Sequence, residues 1–176
     1  LGTLSLSYVS MCFEDECFMA KKSLDNIDRA ILKALQDEGR ITNSELSKKV
    51  NLSATPCLER VKRLERDGVI ESYHAKLNPE KMKASFLTFV TVSLDQTNEN
   101  IFMTFKAKVN EIPEIVECHM VGGGFDYILK VRTESMADYR RLMEDRLSDI
   151  PEIASTNSYF VMESVKDTPL YSIPEG

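Results

Sequence analysis

This 176-residue sequence predicts an α+β chain in two units: three short helices, then a sheet with helices on one face. Three observations carry that prediction. Residues 24–68 space their apolar side chains for helices and punctuate them with caps and turn residues. "IPEI" occurs at 112–115 and again at 150–153, each time between a helical pattern and a strand-like run. Charge divides the same way: residues 21–80 hold 12 Lys and Arg against 10 Asp and Glu, and residues 81–176 hold 10 against 15. A weakly basic front on an acidic back points to different partners for the two units.

The net charge of −6 argues against a nucleic-acid partner until that division is seen. With 43% hydrophobic residues, the chain can bury one ordinary core or two small ones. Cys12, Cys17, Cys57 and Cys118 are too scattered for a disulfide framework. There is no CxxC, and His74 and His119 lack metal-ligand spacing, so no metal site is expected. No run is long and apolar enough to span a bilayer. Residues 1–20 lack the basic start of a signal peptide and are expected to be a disordered extension, with "MAKKSLDNID" from Met19 as a natural start. The expected location is the cytoplasm, at the nucleoid.

In the front unit, Leu24, Ile27, Ile31 and Leu35 mark a first helix stopped by Gly39. Thr42 and Glu45 form a capping box that opens a second, with Leu46 and Val50 inward. Asn51 then interrupts and tolerates the left-handed conformation of a sharp turn. Ser53 or Thr55 caps a third helix, with Pro56 harmless in its first turn. Leu58, Val61 and Leu64 mark its expected buried stripe, and Gly68 ends it. Arg60, Lys62, Arg63 and Arg66 lie off that stripe, with Ser53, Thr55 and Glu59 near its start. Such a face suits phosphates and base edges.

"LDNIDRAILKALQDEGRITNSELSKKVNLSATPCLERVKRLERDGVI" resembles the DNA-binding half of the Lrp/AsnC family, with "TPCLERVKRLERDG" the most specific stretch. The likeness runs from about Leu24 to Lys166. It implies a winged helix-turn-helix over residues 21–70, with "IESYHAKLNP" in a strand-like linker over 71–84. The expected contacts to double-stranded DNA are Thr42, Asn43, Lys48, Ser53, Thr55, Pro56, Arg60, Lys62, Arg63 and Arg66.

The repeat predicts β-α-β written twice across residues 85–167, with a tail at 168–176. Ile101, Phe105, Val109 and Ile112 form one helical stripe. Met136, Tyr139, Leu142, Met143, Leu147 and Ile150 form the other, capped by Ser135 with Asp138. "FLTFVTVSL" and "FDYILKVRT" precede the helices as strands. This order fits a split βαβ, ferredoxin-like sheet. Phe86, Val90 and Val92 alternate with Leu87 and Phe89, and Phe160 and Met162 with Tyr159 and Val161. Both faces are therefore apolar, and a second copy is expected to cover the open one. The resemblance agrees: its second half is an amino-acid-sensing sandwich that dimerises by its sheets and assembles into octamers or larger rings. Two-fold symmetry then implies roughly palindromic DNA sites.

"MVGGGFDYILK", residues 120–130, is not a phosphate loop, because a strand rather than a helix follows the glycines and no Walker-type Lys-Ser/Thr appears. It predicts a hairpin joining strands 115–121 and 125–132, with glycines at positive φ. Asp126 is left over, a poor strand former between aromatics, suited to hold the ammonium of an amino acid. The turn is similar to the family's Gly-Asp-Phe-Asp-Tyr motif, with Gly124 in place of the first Asp. That resemblance implies an effector cleft at Met120, Gly122, Gly123, Asp126 and Met136, with Tyr159, Phe160 and Val161. Leucine or methionine is the expected effector, and no other cofactor is expected.

The expectation is therefore a sequence-specific transcriptional regulator of amino-acid metabolism, without catalytic residues. One rival is an architectural DNA-binding protein indifferent to effectors. Another is a ferredoxin-like enzyme using Asp126, His119 and Tyr127.

Overall fold

The computed structural model describes residues 23–96 and 98–174. The extension expected over residues 1–20, with Cys12 and Cys17, lies outside the described residues. The described chain divides into two compact units: residues up to His74 together with those from Pro169, and Ala75–Thr168.

In the first unit α1 spans Asn26–Asp37, α2 Asn43–Lys49 and α3 Ala54–Arg66. α1 opens in a capping box that apolar spacing does not reveal: the Asp28 amide donates to Asp25 at 2.8 Å, and the Asp25 amide to Asp28 at 3.2 Å. Two orphan amides of the first turn are thereby satisfied. The expected Thr42–Glu45 box opens α2. Its bonds from Thr42 hold the Glu45 carboxyl below its ordinary value. Asn51 takes φ 54° in the turn to α3, as its tolerance of the left-handed region predicts. Gly68, at φ 69°, ends α3, and the Val69 amide reaches back to the Leu64 carbonyl at 2.9 Å.

Ile31, Ala34, Leu46, Val50, Cys57 and Leu64 form this unit's core. The phase of α3 differs from the expected one. Leu58 is 41% exposed, whereas Cys57 is wholly buried. The Cys57 thiol packs in the core as a small apolar group, and burial raises its pKa. Residues 71–78 form no strand, contrary to the strand-like linker expected over 71–84. An extended segment becomes a strand only with a ladder partner, which the described residues do not supply.

The second unit contains β1 (Phe86–Leu94), α4 (Glu99–Asn110), β2 (Ile115–Met120), β3 (Tyr127–Thr133), α5 (Met136–Leu142) and β4 (Ile153–Phe160). The sheet order is β2-β3-β1-β4, and every neighbouring pair is antiparallel. β3 lies between β1 and β2, giving the split βαβ, ferredoxin-like arrangement. Asn98 caps α4 through the Ile101 amide at 3.0 Å, and Ser135 caps α5 through the Asp138 amide at 3.2 Å. α5 continues into a π-helical turn over Met143–Leu147, which the sequence pattern does not announce. The Ser148 amide closes it on the Met143 carbonyl at 2.9 Å. The wider turn brings Leu147 round under Leu142 to the same buried side.

Val90, Val92 and Leu94 of β1 and Tyr127, Leu129 and Val131 of β3 face the helices, where Phe105, Val109, Tyr139 and Leu142 meet them. Met136, expected in the second stripe, is exposed instead. The two-residue alternation turns Leu87, Phe89, Ile128 and Tyr159 to the open face. That face is less apolar than β1 and β4 suggested, because Glu117 and Lys130 add an ion pair at 2.7 Å.

Candidate functional site

α3 carries four of the expected DNA-contacting cations, and the structure divides them. Arg60 donates to Asp25 at 2.6 Å and to Asp28 at 2.8 Å, and Arg63 pairs with Asp28 at 2.6 Å. The Asp28 side chain is only 3% exposed, and both arginines are largely covered. Two positive charges are thus matched by Asp28 of α1 and its N-cap residue Asp25, and Arg60 holds the Asp25 carboxyl below its ordinary 3.8. Lys62 and Arg66 remain exposed, Arg66 pairing with its neighbour Asp67 at 3.0 Å.

The polar candidates divide likewise. The Thr42 hydroxyl is held in the cap, donating to Glu45 at 2.7 Å. Asn43 donates its side-chain amide to the Ala54 carbonyl at 2.9 Å, tying the start of α2 to the start of α3. Ser53 is the N-cap residue of α3 by backbone conformation, but its hydroxyl makes no capping bond. Ser53, Thr55 and Pro56 are exposed at the helix start, and Lys48 is exposed on α2.

At the glycine turn, Asp126 has a structural task. Its carboxylate accepts the Leu94 amide at 2.8 Å, where β1 shifts register against β4. Its own amide donates to the Val92 carbonyl, and its carbonyl accepts from Val121, both at 2.9 Å. The strands end at Met120 and resume at Tyr127, a wider connection than the sequence implied. None of Gly122, Gly123 and Gly124 takes the expected positive φ; a Cβ on any of them would meet nothing within 4 Å. The turn is therefore bare backbone facing open space.

The remaining effector candidates lie elsewhere on the sheet. Val161 donates to the Leu87 carbonyl at 3.1 Å, and Phe160 stands opposite Thr88, at the beginning of β1. Met136 opens α5 immediately beyond that end, where Phe160 packs on Phe86 and Tyr139. Leu87 and Leu94 are about 20 Å apart along β1, much farther than an amino acid reaches. Within one chain Met120, Gly122, Gly123 and Asp126 are not brought together with Met136, Tyr159, Phe160 and Val161.

The enzymatic trio is also dispersed. Tyr127 is buried on the helix side, while His119 stands opposite Ile128 on the open face, 3.6 Å from Glu117. A hollow of about 530 Å³ is lined by Lys76, Asn78, Ser85, Arg132 and Asp167 and contains no candidate residue. Asp167 there answers both Lys76 at 3.7 Å and Arg132 at 3.6 Å. Among the described residues no helix is long and apolar enough to cross a membrane.

Comparison with known proteins converges on one group. Residues 24–71 match the winged helix-turn-helix DNA-binding family, and residues 87–171 the Lrp/AsnC ligand binding domain. The leucine-responsive regulatory protein of Salmonella typhimurium is 51% identical over 147 residues, covering 84% of this chain and 90% of that protein. The protein of the same name from Escherichia coli K12 is 50% identical over the same length and shares. A transcriptional regulator from Neisseria meningitidis, solved as its L-Met complex, superposes with a TM-score of 0.80 at 35% identity, covering 86% of this chain and 97% of that one. An AsnC family regulator from Agrobacterium tumefaciens gives 0.81 at 34% identity, covering 85% and 97%. These relatives are transcriptional regulators, not enzymes.

Proposed function

The chain belongs to the Lrp/AsnC family of DNA-binding transcriptional regulators, and from that premise we propose that it controls amino-acid metabolism by sensing a small amino acid through its assembly. Leucine and methionine are the favoured effectors, because relatives are named for leucine response and one was solved with L-Met. One observation carries the coupling to assembly: the two groups of effector candidates lie at opposite ends of the sheet. A pocket using both groups needs two chains. An amino acid bound there favours the assembly in which those chains meet.

In this reading the backbone of Gly122 and Gly123 receives the effector carboxylate, and Asp126 answers its ammonium while keeping the Leu94 amide. Gly124 leaves Asp126 without a second acid in the turn. The open face with Leu87, Phe89, Ile128 and Tyr159 pairs with the same face of a second copy, and dimers join into octamers or larger. Such a dimer presents two copies of α3 to a roughly palindromic duplex site. Ser53, Thr55, Pro56, Lys62 and Arg66 contact DNA, with Lys48 on the backbone. Residues 21–70 bind DNA, 71–84 link, 85–167 sense and assemble, and 168–176 form the tail.

Thermal-shift measurement against the twenty amino acids tests this reading. Leucine or methionine at 100 times its dissociation constant stabilises by ~2.7 kcal/mol. No shift with any amino acid favours the architectural alternative.

A further inference from the structure

α3 presents to solvent a face different from the one that carries Arg60 and Arg63. Thr55, Leu58, Glu59, Lys62 and Arg66 are all exposed. At about 100° per residue they fall within an arc of about 100°. Cys57 and Leu64 point to the core, and Arg60 and Arg63 flank it under Asp25 and Asp28. Lys62, Thr55 and Arg66 fill the middle of that arc, and its two edges hold a leucine, Leu58, and a carboxylate, Glu59. Phosphate attraction explains neither, since Leu58 is uncharged and Glu59 repels an anionic duplex. Glu59 has no ion pair or hydrogen bond among the described residues. Base edges in the major groove supply partners for both: a thymine methyl takes apolar contact, and a cytosine amino group donates to a carboxylate. From Thr55 to Lys62 the helix rises about 10 Å, the length of about three base-pair steps.

We propose that Leu58 and Glu59 set the sequence preference, Leu58 against a thymine methyl and Glu59 on a cytosine amino group, while Arg60 and Arg63 are positioning residues that fix α3 on Asp25 and Asp28. The inference rests on duplex DNA being the ligand of α3. Lys62, on the same arc, is placed to donate to a guanine edge beside them. Asn43, through its bond to the Ala54 carbonyl, fixes the start of the same helix.

Selection from a randomised duplex pool tests this with the full chain, comparing wild type, Leu58→Ala, Glu59→Ala, Arg63→Gln and Arg63→Lys. Leu58→Ala loses one thymine preference in each half-site, and Glu59→Ala loses a cytosine preference within three base pairs of it. Each loss lowers discrimination at that position by about tenfold, the scale of one lost base contact. Both side chains are exposed, so thermal melting of these two variants matches wild type. Arg63→Gln weakens binding to every duplex without changing their ranking, and Arg63→Lys, which keeps a cation for Asp28, restores part of the affinity. Wild-type preferences in Leu58→Ala or Glu59→Ala overturn the proposal. So does uniformly tighter binding by Glu59→Ala, the mark of a merely repulsive surface acid, or a base preference lost in Arg63→Gln. If the wild type enriches no duplex at all, the DNA-binding role of α3 itself falls.

Discussion

Asp28 of α1 and Arg63 of α3 meet at 2.6 Å, with the Asp28 side chain almost wholly buried. Asp28 also caps its own helix through the Asp25 amide and accepts from Arg60. One carboxylate thus joins the first helix to the helix proposed to read DNA. Replacing a residue in such a pair leaves charge without a partner in a covered place, which is more costly than the pair's net contribution.

Asp28→Ala is therefore expected to destabilise the helical unit by about 2–4 kcal/mol, somewhat below the cost for a fully buried pair because both arginines keep some water. Urea denaturation followed by helix circular dichroism measures it as a lower midpoint at unchanged slope.

Two substitutions at Asp126 are expected to separate stability from the proposed sensing. Asp126→Ala loses the acceptor for the Leu94 amide and costs about 1–2 kcal/mol without any effector. Asp126→Asn keeps an oxygen for that amide but removes the charge. Its melting temperature stays near wild type while the shift produced by leucine or methionine disappears. Differential scanning fluorimetry of both variants, with and without the amino acid, checks the pair.

Asn51 sits at φ 54° between α2 and α3. Asn51→Ala is expected to cost about 1 kcal/mol, because an alanine Cβ disfavours the left-handed region, while Asn51→Gly is close to neutral. Chemical denaturation of the two variants side by side reads the difference.

How much of this was legible in the sequence depends on how far away each partner lies. The Thr42–Glu45 box and the Asn51 turn are local, and reading along the chain finds them. The repeated "IPEI" marks both βαβ units for the same reason. The phase of α3 is less local: Leu58 and Cys57 both fit a stripe with Leu64, and hydrophobicity alone favours the leucine. What turns Leu58 outward is the packing of Cys57 against the other helices, together with the Asp28 pairs, whose carboxylate is 32 residues from Arg60. The Asp126–Leu94 bond likewise spans 32 residues, so the turn alone offered a ligand as the only reason for an acid. The glycines misled in conformation, since their bare surface and not a positive φ distinguishes them.

Acid should weaken the α1–α3 connection. Arg60 holds the Asp25 carboxyl below its ordinary 3.8. A depressed folded-state value contributes stability that is fully present above 3.8 and is lost as pH falls through the folded value. Stability measured by urea is then flat from pH 7 to about 5 and declines below 3.8. In Arg60→Gln the share of that decline due to Asp25 is smaller, because only the backbone bonds from Asp28 and Ile27 still lower that carboxyl.

In the proposed reading the amino-acid site closes only between chains, and sedimentation velocity measures that closure. Leucine or methionine is titrated into the protein at several concentrations spanning the assembly transition. The amino acid is expected to shift the population between assemblies, with an apparent affinity that changes with protein concentration. Saturable binding to a dilute, isolated chain, with no change in assembly and no dependence on protein concentration, would contradict that reading.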